Sequence, residues 1–312
     1  MPEKKSVSVY DLAGRKTKTI GVIIPRLDSP FITSALKGIQ QVITGRGYEL
    51  ILTHSRESLE KEVANAQLLF DSRVDGVLAS LSAETKDTAH FTPFTRKGIP
   101  IVFFDSAEQT CSSGTVGIDN ARCGYLATEH LVRQGCRRIA IITSDFSRNG
   151  YEQRYRGFRE ALESCGLAFS SELLVRVRGG AEDGGEKCDG TEDGMEAARK
   201  VLRMHPLPDG LFITDDLTAA VCMYVLNEAG IRVPEDIAIV GFNNDPVGRL
   251  IKPALTTIDY PGFEIGKTAA YALLARFSGR KRVERRTTVL VPSSLIVRDS
   301  SRRAFNNKAS TQ

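Results

Sequence analysis

Two short clusters of polar residues are the densest groups in this chain whose side chains could do chemistry. Asp215 and Asp216 follow one apolar segment, and Asn243, Asn244 and Asp245 follow the next one along the chain. Carboxylates that share a pocket can act as general acid and base, whereas carboxylates mixed with amides can bind the hydroxyl groups of a ligand. Carboxylates that open a helix also stabilise its free N–H groups. The pattern alone leaves structural, binding and catalytic roles open.

Other signs of an active site are absent from the sequence. There is no GxSxG nucleophile elbow and no glycine-rich phosphate loop. The six cysteines include no CxxC pair, and only four histidines are available to join them in a metal site. We therefore predict that the protein is not an enzyme and needs no metal ion and no cofactor.

The polar clusters fall at the ends of predicted strands in a repeating pattern of strands and helices. Apolar runs predict strands at 19–25, 48–53, 74–79, 101–104, 115–118, 139–143, 173–177, 211–214, 237–240 and 288–291. Amphipathic stretches predict helices at 59–71, 89–96, 121–134, 155–164, 192–204 and 263–277, with two more after Ser29 and at Asp215 and Asp216. This alternation is typical of right-handed βαβ units, which form parallel sheets with helices on both faces.

The number of strands limits the possible folds. About ten strands are more than a single doubly wound sheet usually contains. The pattern that begins near Thr19 also restarts near Ile139. A chain of 312 residues is also long enough for two domains. We therefore predict an α/β protein with two similar sheets, while a (β/α)₈ barrel remains the structural alternative.

Polar and aromatic residues recur at the carboxyl ends of the predicted strands, where open α/β sheets bind their ligands. The candidate binding residues are Asp28, Phe31, His54, Ser80, Asp105, Asp119, Arg154, Asp215, Phe242 and Asn243. Planar polar groups beside an aromatic wall bind sugars and nucleosides, and arginine can donate two hydrogen bonds to neighbouring oxygens. The set favours binding of a small molecule over catalysis.

The composition is that of a globular protein, with 41% hydrophobic and 26% charged residues and a net charge of +4. Much of the positive charge lies near the two ends, which leaves contact with nucleic acid open. The first residues lack an apolar stretch long enough for secretion or membrane insertion. We expect a cytoplasmic protein with no membrane partner.

Several stretches resemble the LacI/GalR family of transcriptional regulators, from about Thr17 to Arg298. They are TKTIGVIIPRLDSPFITSALKGIQ, DGVLA, IPIVFFD, VGIDNARCGYLATEHLVRQGCRRIAIIT, RYRGFREALESCGL and, most specific, GIRVPEDIAIVGFNND followed by PALTTID. The resemblance implies two Rossmann-like subdomains joined by three crossovers, a periplasmic-binding-protein-like fold of type I. It predicts an N-terminal subdomain of 18–136 and 248–291 and a C-terminal subdomain of 137–247 and 292–300. Residues 1–17 would be a headpiece or hinge remnant, and 301–312 a disordered tail.

The same resemblance implies a function. A small effector, usually a sugar, a sugar phosphate or a purine, would bind in the cleft between the subdomains of a homodimer and control DNA binding by a repressor. Family headpieces read both DNA grooves, but about fifteen residues precede the core here, too few to bury a core of their own. We therefore expect this chain to bind operator DNA only if a complete headpiece is present. A stand-alone sugar-binding protein of a transport or sensing system is the alternative.

The family's effector positions fall on four residues of this chain. Phe31 matches the aromatic residue after the first strand, and Arg154 matches the arginine of the RxxGF motif. Asp215 stands where the family usually has asparagine, and Asn243 stands where it usually has aspartate. Both positions remain polar, so the departure predicts a different effector from the common ones.

Overall fold

The computed structural model describes residues 16–105, 114–144, 146, 149–177, 190–278 and 288–303. The strands in these residues are β1 (Thr19–Ile24), β2 (Glu49–His54), β3 (Gly76–Ala79), β4 (Ile101–Phe104), β5 (Gly114–Gly117), β6 (Ile139–Thr143), β7 (Leu174–Arg176), β8 (Gly210–Ile213), β9 (Ala238–Asn243), β10 (Thr256–Asp259), β11 (Thr288–Leu290) and β12 (Leu295–Ile296). The α-helices are α1 (Pro30–Thr44), α2 (Leu59–Asp71), α3 (Thr92–Arg96), α4 (Asn120–Arg133), α5 (Asn149–Ser164), α6 (Gly190–Leu202), α7 (Asp216–Glu228), α8 (Val247–Leu250) and α9 (Gly262–Ala275).

The strands form two six-stranded sheets, in the orders β11-β5-β4-β3-β1-β2 and β12-β10-β9-β8-β6-β7. The neighbours of β1, β4, β6 and β9 run parallel to them, whereas β12 runs antiparallel to β10. Two open sheets confirm the two-sheet prediction and exclude the barrel. In both sheets the first strand along the chain, β1 or β6, lies between the second and the third. That is the flavodoxin-like order, whose ligand crevice opens at the carboxyl ends of the first and third strands.

The chain divides into two compact units. The first unit contains Met1–Val116 and Phe263–Val289, and the second contains Gly117–Gly262 and Leu290–Gln312. The chain therefore passes from one unit to the other three times, as the fold prediction requires. The boundaries differ from the predicted ones, because α4 and residues 248–262 belong to the second unit. The reason is packing, since α4 lies against α5 and β10 pairs with β9.

Each unit contains a close crossing of two helices that glycine makes possible. A Cβ atom on Gly157 of α5 would collide with the carbonyl oxygen of Ala121, and one on Gly124 of α4 with that of Arg154. In the first unit, Gly38 of α1 and Gly266 of α9 are equally close to the opposing backbone. The α4–α5 crossing fixes the height of Arg154 above the second sheet.

Residues 301–303 are ordered, whereas we predicted a disordered tail from residue 301. Ser301 is buried, and its hydroxyl lies 2.7 Å from His130 Nε2 and 2.6 Å from Thr256 Oγ1. Arg303 donates from its backbone N–H to Gln134 Oε1 at 3.0 Å. Residues 304–312, like residues 1–15 of the predicted headpiece remnant, lie outside the described residues. No helix among those described has the length and apolar character needed to cross a membrane.

Candidate functional site

The carboxyl edge of the second sheet brings together most of the predicted polar residues. Strand β6 ends at Thr143 and Ser144, and its neighbour β8 leads into Thr214 and Asp215. Strand β9 ends on the far side of β8 with Asn243. The strand order of this sheet reverses between β6 and β8, and open α/β sheets generally bind their ligands at such a point.

Arg154 is the central residue of this edge. It projects from α5 and is only 7% exposed. Its Nε–H donates to Asn120 Oδ1 at 2.9 Å, and its Nη1 donates to the carbonyl oxygen of Thr214 at 3.1 Å. The guanidinium lies 3.5 Å from the ring centroid of Phe242, a cation–π contact. These contacts offset the cost of burying the charge and fix the plane of the guanidinium.

Asp215 and Asn243, the two positions that depart from the family pattern, form a hydrogen-bonded pair. Asn243 Nδ2 donates to Asp215 Oδ2 at 3.2 Å, and it lies 3.4 Å from Asp245 Oδ2. The other oxygen of Asp215 accepts from the backbone N–H of Thr218 at 2.9 Å, so Asp215 is the N-cap of α7. Asn243 has φ of 120°, a conformation that non-glycine residues rarely adopt. Asp215 is held by its hydrogen bond to the first turn of α7, and Asn243 is held by its position in the strained end of β9.

Asp216 is the first residue of α7 and is not its N-cap, which is Asp215. It is fully buried and accepts from the Thr257 hydroxyl at 2.7 Å and from the backbone N–H of Asp245 at 2.8 Å. Burial raises the pKa of Asp216 to about 7. Burial, and then the charge of Asp215, raises the pKa of Asp245 to about 6. Asp216 therefore stabilises the loop after β9 through buried hydrogen bonds. Asp215, and not Asp216, lies beside Asn243 at the carboxyl edge of the sheet.

Phe242 also has a different position from the predicted one. Strand β9 continues through Asn243, so Phe242 lies within the strand and is 0% exposed. Its ring supports the guanidinium of Arg154 and packs edge-on against Tyr260, with centroids 5.9 Å apart. We assign Phe242 to holding Arg154 in place rather than to direct contact with an effector.

The first unit carries five of the candidate residues along the carboxyl edge of its own sheet. Asp28 forms a two-point ion pair with Arg26, with both N–O distances 3.0 Å. Ser80, after β3, donates its hydroxyl to Asp105 Oδ2, after β4, at 3.2 Å. The remaining two, Phe31 and His54, lie in the first turn of α1 and at the end of β2.

Asp119, the tenth candidate, lies in the second unit. It is the N-cap of α4, and its Oδ1 accepts from the backbone N–H of Arg122 at 2.8 Å. The residue that follows it contacts Arg154 and is not among the predicted binding residues. Asn120 is 6% exposed and holds Arg154. The only signal for it is the adjacent Asp-Asn pair after a strand, which is equally typical of a helix start.

The hydroxyls of Thr143 and Ser144 were also missed. Thr143 is 1% exposed and Ser144 7%, and neither hydroxyl has a hydrogen-bond partner in the described part of the chain. In the same part of the chain, no three His, Cys, Asp or Glu side chains stand close enough to hold a metal ion. The edge as a whole offers a fixed arginine, carboxylates, an amide and hydroxyls, a set suited to hydrogen bonding with a small polar molecule.

Comparison with known proteins identifies the fold and the family. Residues 128–301 match the family of periplasmic binding protein-like domains. The chain is 31% identical over 285 residues to the HTH-type transcriptional repressor PurR of Erwinia tasmaniensis, covering 91% of this chain and 80% of that protein. The solved complex of the transcriptional regulator CelR with cellobiose is 27% identical and superimposes with a TM-score of 0.79, covering 92% of this chain and 85% of the other. A LacI family transcriptional regulator from Enterococcus faecium with bound ribose is also 27% identical, with a TM-score of 0.75 over 91% of this chain and 98% of the other.

These relatives are transcriptional regulators and not enzymes. Their likeness extends over both units and includes the sheet whose carboxyl edge carries Arg154, Asp215 and Asn243. The chain belongs to the LacI family of transcriptional regulators.

Proposed function

We propose that this chain is the effector-binding and dimerisation core of a ligand-controlled, cytoplasmic transcriptional regulator, and that its effector is a small sugar-like molecule. The observation that carries the proposal is the preorganised set of Arg154, Asp215 and Asn243 at the switch point of the second sheet. Each member is held by at least two other contacts before any ligand arrives. Preorganised polar groups gain affinity because less ordering is needed on binding.

The donors and acceptors of this set favour a neutral polyol. Arginine only donates hydrogen bonds and ionised aspartate only accepts them, whereas a sugar hydroxyl does both and can bridge the two. A phosphate group would meet Asp215 and Asp245 as well as Arg154, and the like charges would repel it. Sugars are therefore the first choice of effector, and sugar phosphates and purines are the alternatives.

Two of the related structures support this choice. One was solved as a complex with cellobiose, and the other contains bound ribose. The repressors among the relatives also include a ribose operon repressor of Halalkalibacterium halodurans, 28% identical over 292 residues. We extend the proposal to the first unit, where Asp28, Phe31, His54, Ser80 and Asp105 would supply further effector contacts.

A ligand screen tests the proposal. Thermal shift with D-ribose, cellobiose, ribose 5-phosphate and hypoxanthine should show a rise in Tm with at least one sugar, because a ligand that binds only the folded state stabilises it. Isothermal titration calorimetry would then give Kd for each positive compound. If ribose 5-phosphate is the only compound that binds, the effector is a sugar phosphate and not a neutral sugar. A screen in which no sugar, sugar phosphate or purine raises the Tm would contradict the proposed function.

We also propose that the chain forms a homodimer, with the first unit in the contact. Strand β2 is at the edge of its sheet, and its Leu52 is 46% exposed. Helix α2 packs against β2 and exposes Val63 and Leu68. Single exposed apolar residues are ordinary, but these belong to adjacent elements. Sedimentation equilibrium should give a dimer for the wild type and a weaker dimer for Leu68→Glu, while a wild-type monomer at high micromolar concentration would contradict the proposal.

A further inference from the structure

We infer that the hydroxyls of Thr143 and Ser144 form a polar subsite, at the carboxyl end of β6, that binds a hydroxyl group of the effector. The inference rests on the proposed function and adds a contact that the family pattern did not suggest. Buried polar side-chain atoms are nearly always hydrogen bonded, so two consecutive exceptions need a physical reason. Thr143 Oγ1 and Ser144 Oγ are both buried without a partner in the described part of the chain.

The fold of β6 directs the Thr143 side chain towards Arg154. Ala140 and Ile142 of β6 join the core that α6 and α7 cover. Side chains alternate along a strand, so Thr143 lies on the opposite face, the face of Phe212 on the neighbouring strand. The ring of Phe212 is 6.5 Å from that of Phe242, which supports the guanidinium of Arg154.

The register of β6 with β8 places Thr143 beside Thr214, whose carbonyl oxygen accepts a hydrogen bond from Arg154. Ile142 pairs with Ile213, so the next residues along the two strands are Thr143 and Thr214. Arg154 Nη1 donates to the carbonyl oxygen of Thr214. The Thr143 hydroxyl is thus one strand away from a carbonyl that already anchors the arginine, on the sheet face that α5 covers.

Two other buried threonines near strand ends have hydroxyls that are hydrogen bonded within the protein. Thr53 of β2 donates its hydroxyl to the carbonyl oxygen of Val22 at 3.2 Å. Thr214 donates to the carbonyl oxygen of Ile142 at 3.3 Å. Thr143 is more deeply buried than either residue and makes no such bond. Its hydroxyl is left for a group that comes from outside the protein.

The chemistry of a hydroxyl completes the set at this edge. Arg154 offers donors and Asp215 offers acceptors, whereas the hydroxyls of Thr143 and Ser144 can do either. Adjacent hydroxyls of a sugar can then donate to one protein group and accept from another without leaving a polar atom unsatisfied. The subsite therefore favours a neutral polyol over a ligand whose buried end is apolar.

The test compares Thr143→Val with Thr53→Val, which removes the same atom from the same kind of position. Because Thr143 makes no internal hydrogen bond, Thr143→Val should keep or raise the Tm of the free protein, whereas Thr53→Val should lower it. In calorimetric titrations with the sugar that binds the wild type best, Thr143→Val should weaken Kd about tenfold or more, Ser144→Ala should weaken it in the same direction, and Thr53→Val should leave it unchanged.

Three outcomes would overturn the inference. A drop in Tm for Thr143→Val equal to that for Thr53→Val would mean that the hydroxyl is bonded within the protein. An unchanged or raised Tm with Kd within about twofold of the wild type would mean that the hydroxyl does not contact the effector. If the wild type binds none of the probes, the proposed function is wrong. This result can be told apart from a failure of the subsite inference, because it is obtained before any variant is compared.

Discussion

The two units have the same strand order but differ in how their polar strand ends are connected. In the second unit, Arg154 and Asp215 are each tied to two or more neighbours from different elements. In the first unit, Asp28 pairs with Arg26 two residues away, and Ser80 with Asp105 on the next strand. The second edge is an interlocked set that converges on one buried charged residue, Arg154. We therefore expect the second unit to contribute the larger share of the binding free energy of the effector.

The largest effect should come from removing the residue on which the interlocked set depends. Arg154→Ala should weaken sugar binding by about 1.5–3 kcal/mol, as expected for the loss of charged hydrogen bonds. Arg156→Ala, on the same helix with a side chain 64% exposed, is the matched control and should not change Kd. Ser80→Ala in the first unit should have a smaller effect than Arg154→Ala, measured by calorimetry. An equal or larger effect of Ser80→Ala would remove the contrast between the units.

The helix crossings at Gly157 and Gly266 allow the same substitution, glycine to alanine, to be compared between the two units. Gly157→Ala and Gly266→Ala each add a Cβ against a backbone carbonyl oxygen, so each should lower the free energy of unfolding by about 1–3 kcal/mol in urea titrations. Gly157→Ala should also weaken Kd, because it lifts α5 and with it Arg154. Gly266→Ala should change Kd much less. If both variants weaken Kd equally, the helix crossing does not position Arg154.

The exchanged pair can be tested by a double-mutant cycle. Asn243→Asp puts a third carboxylate beside Asp215 and Asp245, and it should destabilise the protein by about 1–2 kcal/mol at pH 7.5. Adding Asp215→Asn restores one donor and one acceptor between positions 215 and 243, so the double variant should recover part of the loss. A coupling energy between the two changes below about 0.3 kcal/mol would mean that the pair is not an interacting unit.

A further prediction concerns Asp216, the buried acid next to this pair. Because the folded state raises the pKa of Asp216 from 3.8 to about 7, its contribution to stability is complete below pH 3.8 and is lost as the pH rises through about 7. Asp216→Asn keeps an acceptor for Asp245 N–H and gains a donor for Thr257, and it cannot ionise. Its stability relative to the wild type should therefore increase between pH 5 and pH 8, by at most about 1.4 kcal/mol per pH unit.

Asp236→Asn is the control for that pH series. Hydrogen bonds from Arg232 lower the pKa of Asp236 to about 2, so this group stays ionised in both states across the same range. The difference in unfolding free energy between Asp236→Asn and the wild type should be flat from pH 5 to pH 8. A flat profile for Asp216→Asn as well would contradict the assignment of a raised pKa to Asp216.

Much of the fold was predictable because buried parallel strands and amphipathic helices have strong local patterns. The predicted bounds of α2, β4 and β6 match the structure residue for residue. Strands β10 and β12 were missed, since Thr256–Asp259 is short and rich in threonine, and Leu295–Ile296 is stabilised by antiparallel pairing rather than by its own pattern. The unit boundary was misplaced because the packing of α4 on α5 depends on glycine contacts that no periodicity reveals.

The site was predictable in its residue types and less so in its connections. Arg154, Asp215 and Asn243 do meet at one edge, as the alternation of strands and helices predicts. The sequence could not tell which of Asp215 and Asp216 caps the helix, because both suit that position. The exchange at Asp215 and Asn243 has a physical reason once the two side chains are seen to hydrogen bond, since an aspartate–asparagine pair can form in either order. That exchange retains the pair and changes which strand end carries the charge.

Hydrogen–deuterium exchange with and without the best-binding sugar tests the central claim most directly, because it locates the effector without altering the protein. We predict slower exchange in peptides that contain Thr143, in those around Asp215 and in those around Asn243, with weaker protection around Ser80 in the first unit. Protection confined to the first unit, or to neither strand edge, would contradict the assignment of the effector site to the second unit.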